Sequence, residues 1–367
     1  MLKMNKQFCC MIIIFGCLLF TACSRDRPGK PNGTRELVDM AGRTVKLPEE
    51  VDRVFMDWSQ GALHMMTLGA LDKLVVVSQY LAGEDVELST WARMIYPNGF
   101  GDIPQDHSAM SNIESLLNYK PDVVFSLYDY ATDNIEKYEN VGLTVIAVNF
   151  DNYETFRQSI LLIGEVLGGK YALKAIAYNK FFTDNIALTK ERLESIPEAS
   201  KPSVYYVDSG ATLERGGFLK TKGQGTVQAS WIEAAGAKIA TSEFKEQDII
   251  LAKEELLKLD PDYILFGSQD QAAAMQLFLE DFTFEEMKAV VSKNIYRVPQ
   301  GIFCWCKIAP EACLQMVWAA KLFYPDLFMD INIEEMTKNF YFNFMDASVS
   351  DEIITKILEG KLSPTGA

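Results

Sequence analysis

Histidine is almost missing from this 367-residue chain, which holds only His64 and His107. That leaves little material for a Ser/His/Asp or Cys/His catalytic triad and excludes an all-histidine metal centre. His64 falls within a helical stretch, 61–68, and reads as packed; His107, in the loop 101–109, is the more open to a ligand. Positive charge is also short, with 35 lysines and arginines against 50 aspartates and glutamates and a formal charge of −15. So acidic a chain has no general means of displacing counterions from phosphate, which disfavours nucleic acid and anionic membrane surfaces as partners. Phosphate-cradling loops are missing too, because the glycines of residues 210–225 match neither G-x-x-x-x-G-K-[ST] nor a G-x-G-x-x-G that opens a helix. The paired C-x-x-C knuckles of structural zinc and the ligand spacing of iron–sulfur clusters are absent. No catalytic residue and no metal site is predicted.

What is present begins with an unusual N-terminus. Lys3 and Lys6 precede a 13-residue apolar run, Phe8 to Phe20, and then Thr21-Ala22-Cys23. The run falls short of the ~20 residues needed to span a bilayer and suits the core of a signal peptide. Small residues before a cysteine resemble a lipobox, with Phe20 departing from the usual leucine. Residues 1–22 are therefore expected to be a lipoprotein signal peptide, with the lipid on Cys23. Residues 23–34 are polar, with two prolines and two glycines after Cys23, and read as a flexible tether. Cleavage would remove Cys9, Cys10 and Cys17 and leave Cys304, Cys306 and Cys313 beside the lipidated one. An odd count argues against a disulfide framework, so the three read as small, mostly buried thiols. A soft-metal site and a Cys306–Cys313 disulfide are the alternatives.

The body, at 49% hydrophobic and 23% charged residues, is ordinary for a globular protein and long enough for two domains of about 150 residues. One phrase occurs twice: Glu114-Ser-Leu-Leu-Asn-Tyr-Lys-Pro-Asp-Val-Val-Phe125 and Glu254-Glu-Leu-Leu-Lys-Leu-Asp-Pro-Asp-Tyr-Ile-Leu-Phe266. The same spacing separates Glu114 from Glu254 and Pro121 from Pro261. Each copy reads as a short helix, a Pro-Asp corner that bars its continuation, and a buried strand. Helix and strand alternate on either side of the phrase, with strands expected at 51–56, 74–78, 144–149, 203–207, 249–251 and 296–299. Such alternation predicts an α/β protein with mostly parallel sheets in two lobes. Between the lobes, Tyr153 to Leu167 is amphipathic, Gly168-Gly169 interrupts, and Tyr171 to Ile196 has neither proline nor glycine. That stretch predicts a rod about as long as a domain is wide. The resulting divisions are 35–167, an N-terminal lobe; 168–197, the backbone helix; 198–330, a C-terminal lobe; and 331–367, closing helices.

Ligands of open parallel sheets meet the loops beyond the strands' carboxyl ends. Aromatic residues accumulate there: Trp58, Tyr80, Trp91, Tyr128, Tyr130 and Trp305. Together they suit a cleft for a large planar or apolar ligand, although any one ring taken alone also suits core packing. Arg93 and Arg215 lie in the same loops, where a guanidinium fork would pair with carboxylate, catecholate or phosphate oxygens.

The lipobox, the opening Asp39-Met-Ala-Gly-Arg-Thr-Val45, the segment Gly69-Ala-Leu-Asp-Lys-Leu-Val75, the paired Pro-Asp phrases, the long helix and Pro310-Glu-Ala-Cys-Leu-Gln315 together resemble one family. It is that of the helical-backbone substrate-binding proteins of ABC importers, which carry ferric siderophores, cobalamin and haem. The resemblance covers about residues 35–330. It implies two Rossmann-like lobes joined by a single long rigid α-helix, a cleft between them, and little closure on binding. It implies no enzyme and no cofactor, but a lipid-anchored monomer of the cell envelope, facing the periplasm or the exterior. Its partners would be a permease dimer with ATPase subunits. In the cobalamin-binding relative one surface glutamate per lobe, seven residues before the proline of its phrase, pairs with permease arginines; Glu114 and Glu254 hold that position. The otherwise plain role of both is to cap their helices. The ligand expected is a metal chelate, a ferric siderophore first, with cobalamin or another corrinoid and then haem as alternatives. A lipid-anchored sensor or receptor module without a transporter would suit the same lobes.

Overall fold

The computed structural model describes residues 33–78, 93–96, 99–106, 108–128, 132–208, 217–267 and 271–361. Cys23 and the leader lie outside them, as do Tyr80, Trp91, His107, Tyr130 and Arg215. The chain opens with an antiparallel hairpin, β1 (Thr34–Val38) and β2 (Thr44–Pro48). Buried Asp39 fixes its turn: Oδ1 accepts hydrogen bonds from the backbone N–H groups of Ala41 and Arg43, each at 3.0 Å. Gly42 supplies the left-handed residue, φ +75°, that the turn requires. Oδ2 accepts from the Arg43 guanidinium and from Ala147 N–H at 3.1 Å, which hangs the hairpin on the first sheet.

That sheet is parallel, in the order β3 (Val54–Met56), β4 (Val123–Leu127), β5 (Val145–Val148). The strand expected at 74–78 is reduced to single bridges, Leu74 with Val54 and Val77 with Gln105. Its hydrogen bonds are divided between two partners, Val75 N–H going to Val54 and Val77 N–H to Pro104, so no ladder forms. The second parallel sheet runs β11 (Ile295–Arg297), β10 (Tyr263–Gly267), β6 (Ser203–Asp208), β8 (Lys238–Ile239). Beside it, β7 (Lys220–Lys222) and β9 (Asp248–Ile250) form an antiparallel ribbon.

The repeated phrase has the same geometry in both lobes. The helices Ile113–Asn118 and Lys253–Leu259 are followed by left-handed residues, Lys120 (φ +44°) and Asp260 (φ +38°), directly before Pro121 and Pro261. The aspartate that follows each proline clamps the start of the neighbouring strand. Asp122 Oδ2 accepts from the N–H groups of Asp52 (2.9 Å) and Arg53 (3.0 Å); Asp262 Oδ2 accepts from Ser203 N–H (2.8 Å) and its hydroxyl (3.0 Å). Each carboxylate thereby sets which residue of β3 or β6 faces β4 or β10.

Both sheets are buried on both faces, the condition for parallel strands. Side chains alternate: Val123 and Phe125 enter the core shared by the lobes, while Val124 enters a private outer core. In the second lobe Tyr206 and Leu265 face the shared core, and Tyr205, Val207, Ile264 and Phe266 face away from it. The shared core runs through two helices, Tyr153–Leu167 and Gly169–Leu193, which fold back on each other at Gly168 (φ +69°). A Cβ on Gly164 would lie 2.4 Å from the Ala175 Cβ, so only glycine permits this crossing. The 25 residues of the second helix extend ~37 Å. It is tied to the C-terminal lobe by Tyr178 Oη donating to Pro310 O (2.7 Å) and by Asn185 Nδ2 donating to Cys313 O (2.9 Å). Phe156 and Phe182, both fully buried, each contribute roughly 1.5–3 kcal/mol here. The closing helices are Ile333–Met345 and Asp351–Leu358, started by the side chains of Asn332 and Ser350.

Candidate ligand cleft

The carboxyl ends of β3, β4 and β5 in the first sheet, and of β6, β10 and β11 in the second, are the edges at which open parallel sheets take ligands, and these two edges are the candidate walls of a cleft. On the first wall Asp57 follows β3. Its backbone N–H donates to Phe125 O at 3.0 Å, and its carboxylate accepts from the Ser126 hydroxyl and from Leu127 N–H at 3.3 Å. Burial pushes the carboxyl up to about 6, because the hydrogen bonds only partly replace lost water. Tyr128 follows β4, anchored by its N–H to Val148 O at 2.9 Å, with 37% of its surface open.

The second wall is cationic. Asp208, the last residue of β6, is 5% exposed and faces three lysines. Lys307 Nζ donates directly to Oδ1, while Lys222 and Lys220 stand 3.4 and 3.8 Å from Oδ2. Period-two alternation places Lys220 and Lys222 on the same face of β7, with fully buried Thr221 on the other. Lys222 also pairs with the largely exposed Asp248 at 2.5 Å. Burial would raise the Asp208 carboxyl, but the lysines, Lys307 foremost, outweigh it and hold the group below the usual range. Burial also lowers the Lys307 ammonium; Asp208 counters this, and the like charges of Lys222 and Lys220 add to the lowering.

A model of the family described as periplasmic binding protein matches residues 62–301, which include strands of both walls and the long helix between them. The chain belongs to the periplasmic binding protein family. Its family is one of solute-binding proteins and not of enzymes. The sequence is 25% identical over 343 residues to the molybdate-binding protein MolA of Haemophilus influenzae, spanning 86% of this chain and 92% of MolA. The molybdate-bound MolA structure matches with a TM-score of 0.72 at 23% identity, over 86% of this chain and 99% of that one. A periplasmic solute binding protein from Veillonella parvula matches at 0.71, with 23% identity over 89% and 97% of the two chains. CeuE of Helicobacter pylori, in its Ni-His complex, matches at 0.67, with 17% identity over 89% and 99%. The two-lobed α/β fold is that of these proteins.

In this periplasmic binding protein the aromatic residues expected at the cleft separate. Tyr128 is open, and Arg93 is exposed. Trp58 is 8% exposed and packs on Phe150, with ring centroids 5.6 Å apart. The same Phe150 stacks on His64 at 4.9 Å; His64 is fully buried, and burial pushes its imidazole down to about 3, so it is a neutral core residue. Trp305 has no exposed surface, and its indole N–H has no hydrogen-bond partner among the described residues. It lies beside a buried polar pair, Tyr341 Oη donating to Glu311 Oε1 at 3.0 Å. The expectation of three free thiols is corrected: Cys304 and Cys306 form a disulfide, and Cys313 alone is a free, buried thiol. The odd count misled because it is met by one pair and one thiol left over, Cys313. Among the described residues no cluster of metal-ligating side chains occurs.

Glu114 and Glu254 are both exposed, one on each lobe. Helix capping falls to their neighbours: Asn112 Oδ1 accepts from Glu114 N–H at 2.9 Å, and Glu255 Oε2 accepts from Ala252 N–H at 2.7 Å. Among the described residues neither the Glu114 nor the Glu254 carboxylate has a hydrogen-bond or ion-pair partner of its own. The lysines around Asp208 escaped the sequence reading because they come from distant segments. The one available signal was the Lys-Thr-Lys alternation at 220–222.

Proposed function

We propose that this chain is the lipid-anchored receptor of an ABC importer. It holds a metal chelate, a ferric siderophore first, between its lobes and delivers it to a permease dimer with ATPase subunits. The observation that carries the reading is the pair of parallel sheets joined through one stiff helix and a common core. Signal peptide 1–22, tether 23–34, lobes 35–167 and 198–330, backbone helix 168–197 and closing segment 331–367 are the divisions proposed. Tyr128 and Arg93, with Tyr80, Trp91, Tyr130 and Arg215, are the proposed ligand contacts; Trp58 and Trp305, expected among them, are buried. Molybdate is the second reading, favoured by the similarity to MolA and by the cationic wall. Titrating the soluble body, from Thr34 onward, with ferric siderophores, cyanocobalamin, haemin and molybdate tests this by tryptophan fluorescence and calorimetry. Saturable binding of a ferric chelate supports the first reading, binding of molybdate alone the second, and silence from every probe sinks both.

Glu114 and Glu254 are proposed to dock the two lobes on the two permease subunits. A two-fold partner needs a matching contact on each lobe, and a repeated, uncommitted glutamate provides one. Reversing both charges, Glu114→Lys with Glu254→Lys, is expected to abolish uptake while ligand affinity stays unchanged. Lost affinity would instead place these residues in the binding site.

A further inference from the structure

We infer that the C-terminal lobe docks through an apolar knob, Phe282 with Leu257, which fills a socket of apolar floor and cationic rim on one permease subunit and has only a partial counterpart on the N-terminal lobe. The inference rests on the docking reading of Glu114 and Glu254 and extends it from two charges to a surface. Helical spacing sets Leu117 beside Glu114 and Leu257 beside Glu254. Those leucines are 37% and 38% exposed, whereas Leu116 and Leu256, one residue earlier, are fully buried. Each lobe thus presents the same glutamate and leucine. The lobes then diverge, for Glu114 and Glu254 are 140 residues apart but β5 and β11 begin at Val145 and Ile295, 150 apart. The ten extra residues follow the helix Gln271–Glu280 and run alongside the repeated helix, clamped at both its ends: Lys253 Nζ donates to Asp281 Oδ2, and Lys288 N–H donates to Asp260 Oδ1 at 2.9 Å. Phe284 is buried there and stacks on Phe278, with ring centroids 5.0 Å apart. Phe282 is nevertheless 83% exposed, more than any other large apolar side chain among the described residues. A ring left open on so firmly held a segment marks a contact surface. Its neighbour Asp281 is bonded to Lys253, the residue before Glu254, so knob and glutamate stand side by side.

The surrounding charge selects the partner. Glu254, Glu255, Glu280, Glu285 and Glu286 are exposed, while Lys253 and Lys288 are committed to Asp281 and Asp260. Anionic headgroups would be repelled, and a second copy of this chain would set the same acidic rim against itself across a two-fold contact. A protein face that is both apolar and cationic suits the knob, as the permease face facing Glu254 would be. A permease dimer offers that socket twice; Phe282 fills one, and the other receives Leu117 alone.

The test is photocrosslinking in cells of the native host, with benzoylphenylalanine in place of Phe282, followed by binding of the mature protein to the purified permease and ATPase complex in lipid nanodiscs. The expected result is a crosslink from position 282 that maps to an extracytoplasmic loop of the permease. Phe282→Asp and Leu257→Asp are each expected to bind the complex about tenfold or more weakly, with thermal melting unchanged. Phe342→Asp, at another exposed ring on the helix Ile333–Met345, should leave docking intact. A crosslink to a second copy of this chain, to another protein or to nothing overturns the knob, as does undiminished affinity of Phe282→Asp. If Glu114→Lys with Glu254→Lys weakens binding to the complex while Phe282→Asp does not, the docking reading stands without the knob. If neither weakens it, both fall.

Discussion

Asp122 and Asp262 act alike in the two copies of the repeated phrase. Each follows a proline, each accepts two hydrogen bonds at the start of the adjacent strand, and each is reached through a left-handed residue. Removing either carboxylate unpairs backbone N–H groups at the sheet's entry, a loss of roughly 1–3 kcal/mol. Asp122→Ala and Asp262→Ala are accordingly expected to lower the urea midpoint by similar amounts without changing ligand affinity. Unequal effects, or none in one lobe, would show that the register is set elsewhere. The proline and aspartate were legible in the sequence as a corner; their partners were not, because Arg53 and Ser203 lie some sixty to seventy residues away along the chain.

At the scale of elements, periodicity located the repeated helices, β4, β10 and the long helix closely, since each is bounded by proline or glycine and buries a regular stripe. It overstated the strand at 74–78, whose backbone partners change midway. Beyond the Lys-Thr-Lys alternation it gave no hint of the lysines around Asp208, which come together only once β6, β7 and the 301–309 loop meet. That loop carries the corrected disulfide, held further by Gln228 Nε2 donating to Cys306 O at 2.9 Å and by Tyr206 Oη donating to its sulfur at 3.1 Å. The pairing has a direct chemical check on protein beginning at Thr34. In full denaturant without reductant, iodoacetamide should label one cysteine, Cys313, and after reduction all three. Three labels before reduction would dismiss the bond. Reduction is expected to cost about 1–2 kcal/mol of stability, the modest figure that suits so short a loop.

For the whole molecule, buried titratable groups set the dependence of stability on pH. Burial pushes Glu311 up to about 7, against an ordinary value of 4.5. The folded protein keeps this proton while the unfolded chain releases it, so the contribution is complete below pH 4.5 and lost as pH rises through 7. Glu311→Gln should remove that loss, gaining on the wild type by about 3 kcal/mol between mildly acidic and mildly alkaline pH. His64 has the opposite sign: the unfolded imidazole takes a proton below its ordinary 6.5 that the folded one refuses down to about 3, so acid weakens the fold. Parallel melting curves for wild type and Glu311→Gln over pH 5–8 would show that Glu311 ionises normally.

Because one core passes without a break from β4 through the long helix to β6, the distance from Glu114 to Glu254 is a property of the interior. The two lobes are the jaws of a calliper whose spine is clenched at Gly164, where no room for a methyl group exists. A partner gripping both jaws therefore measures a fixed width, and a misfit introduced at that crossing would be felt at both tips, far from either.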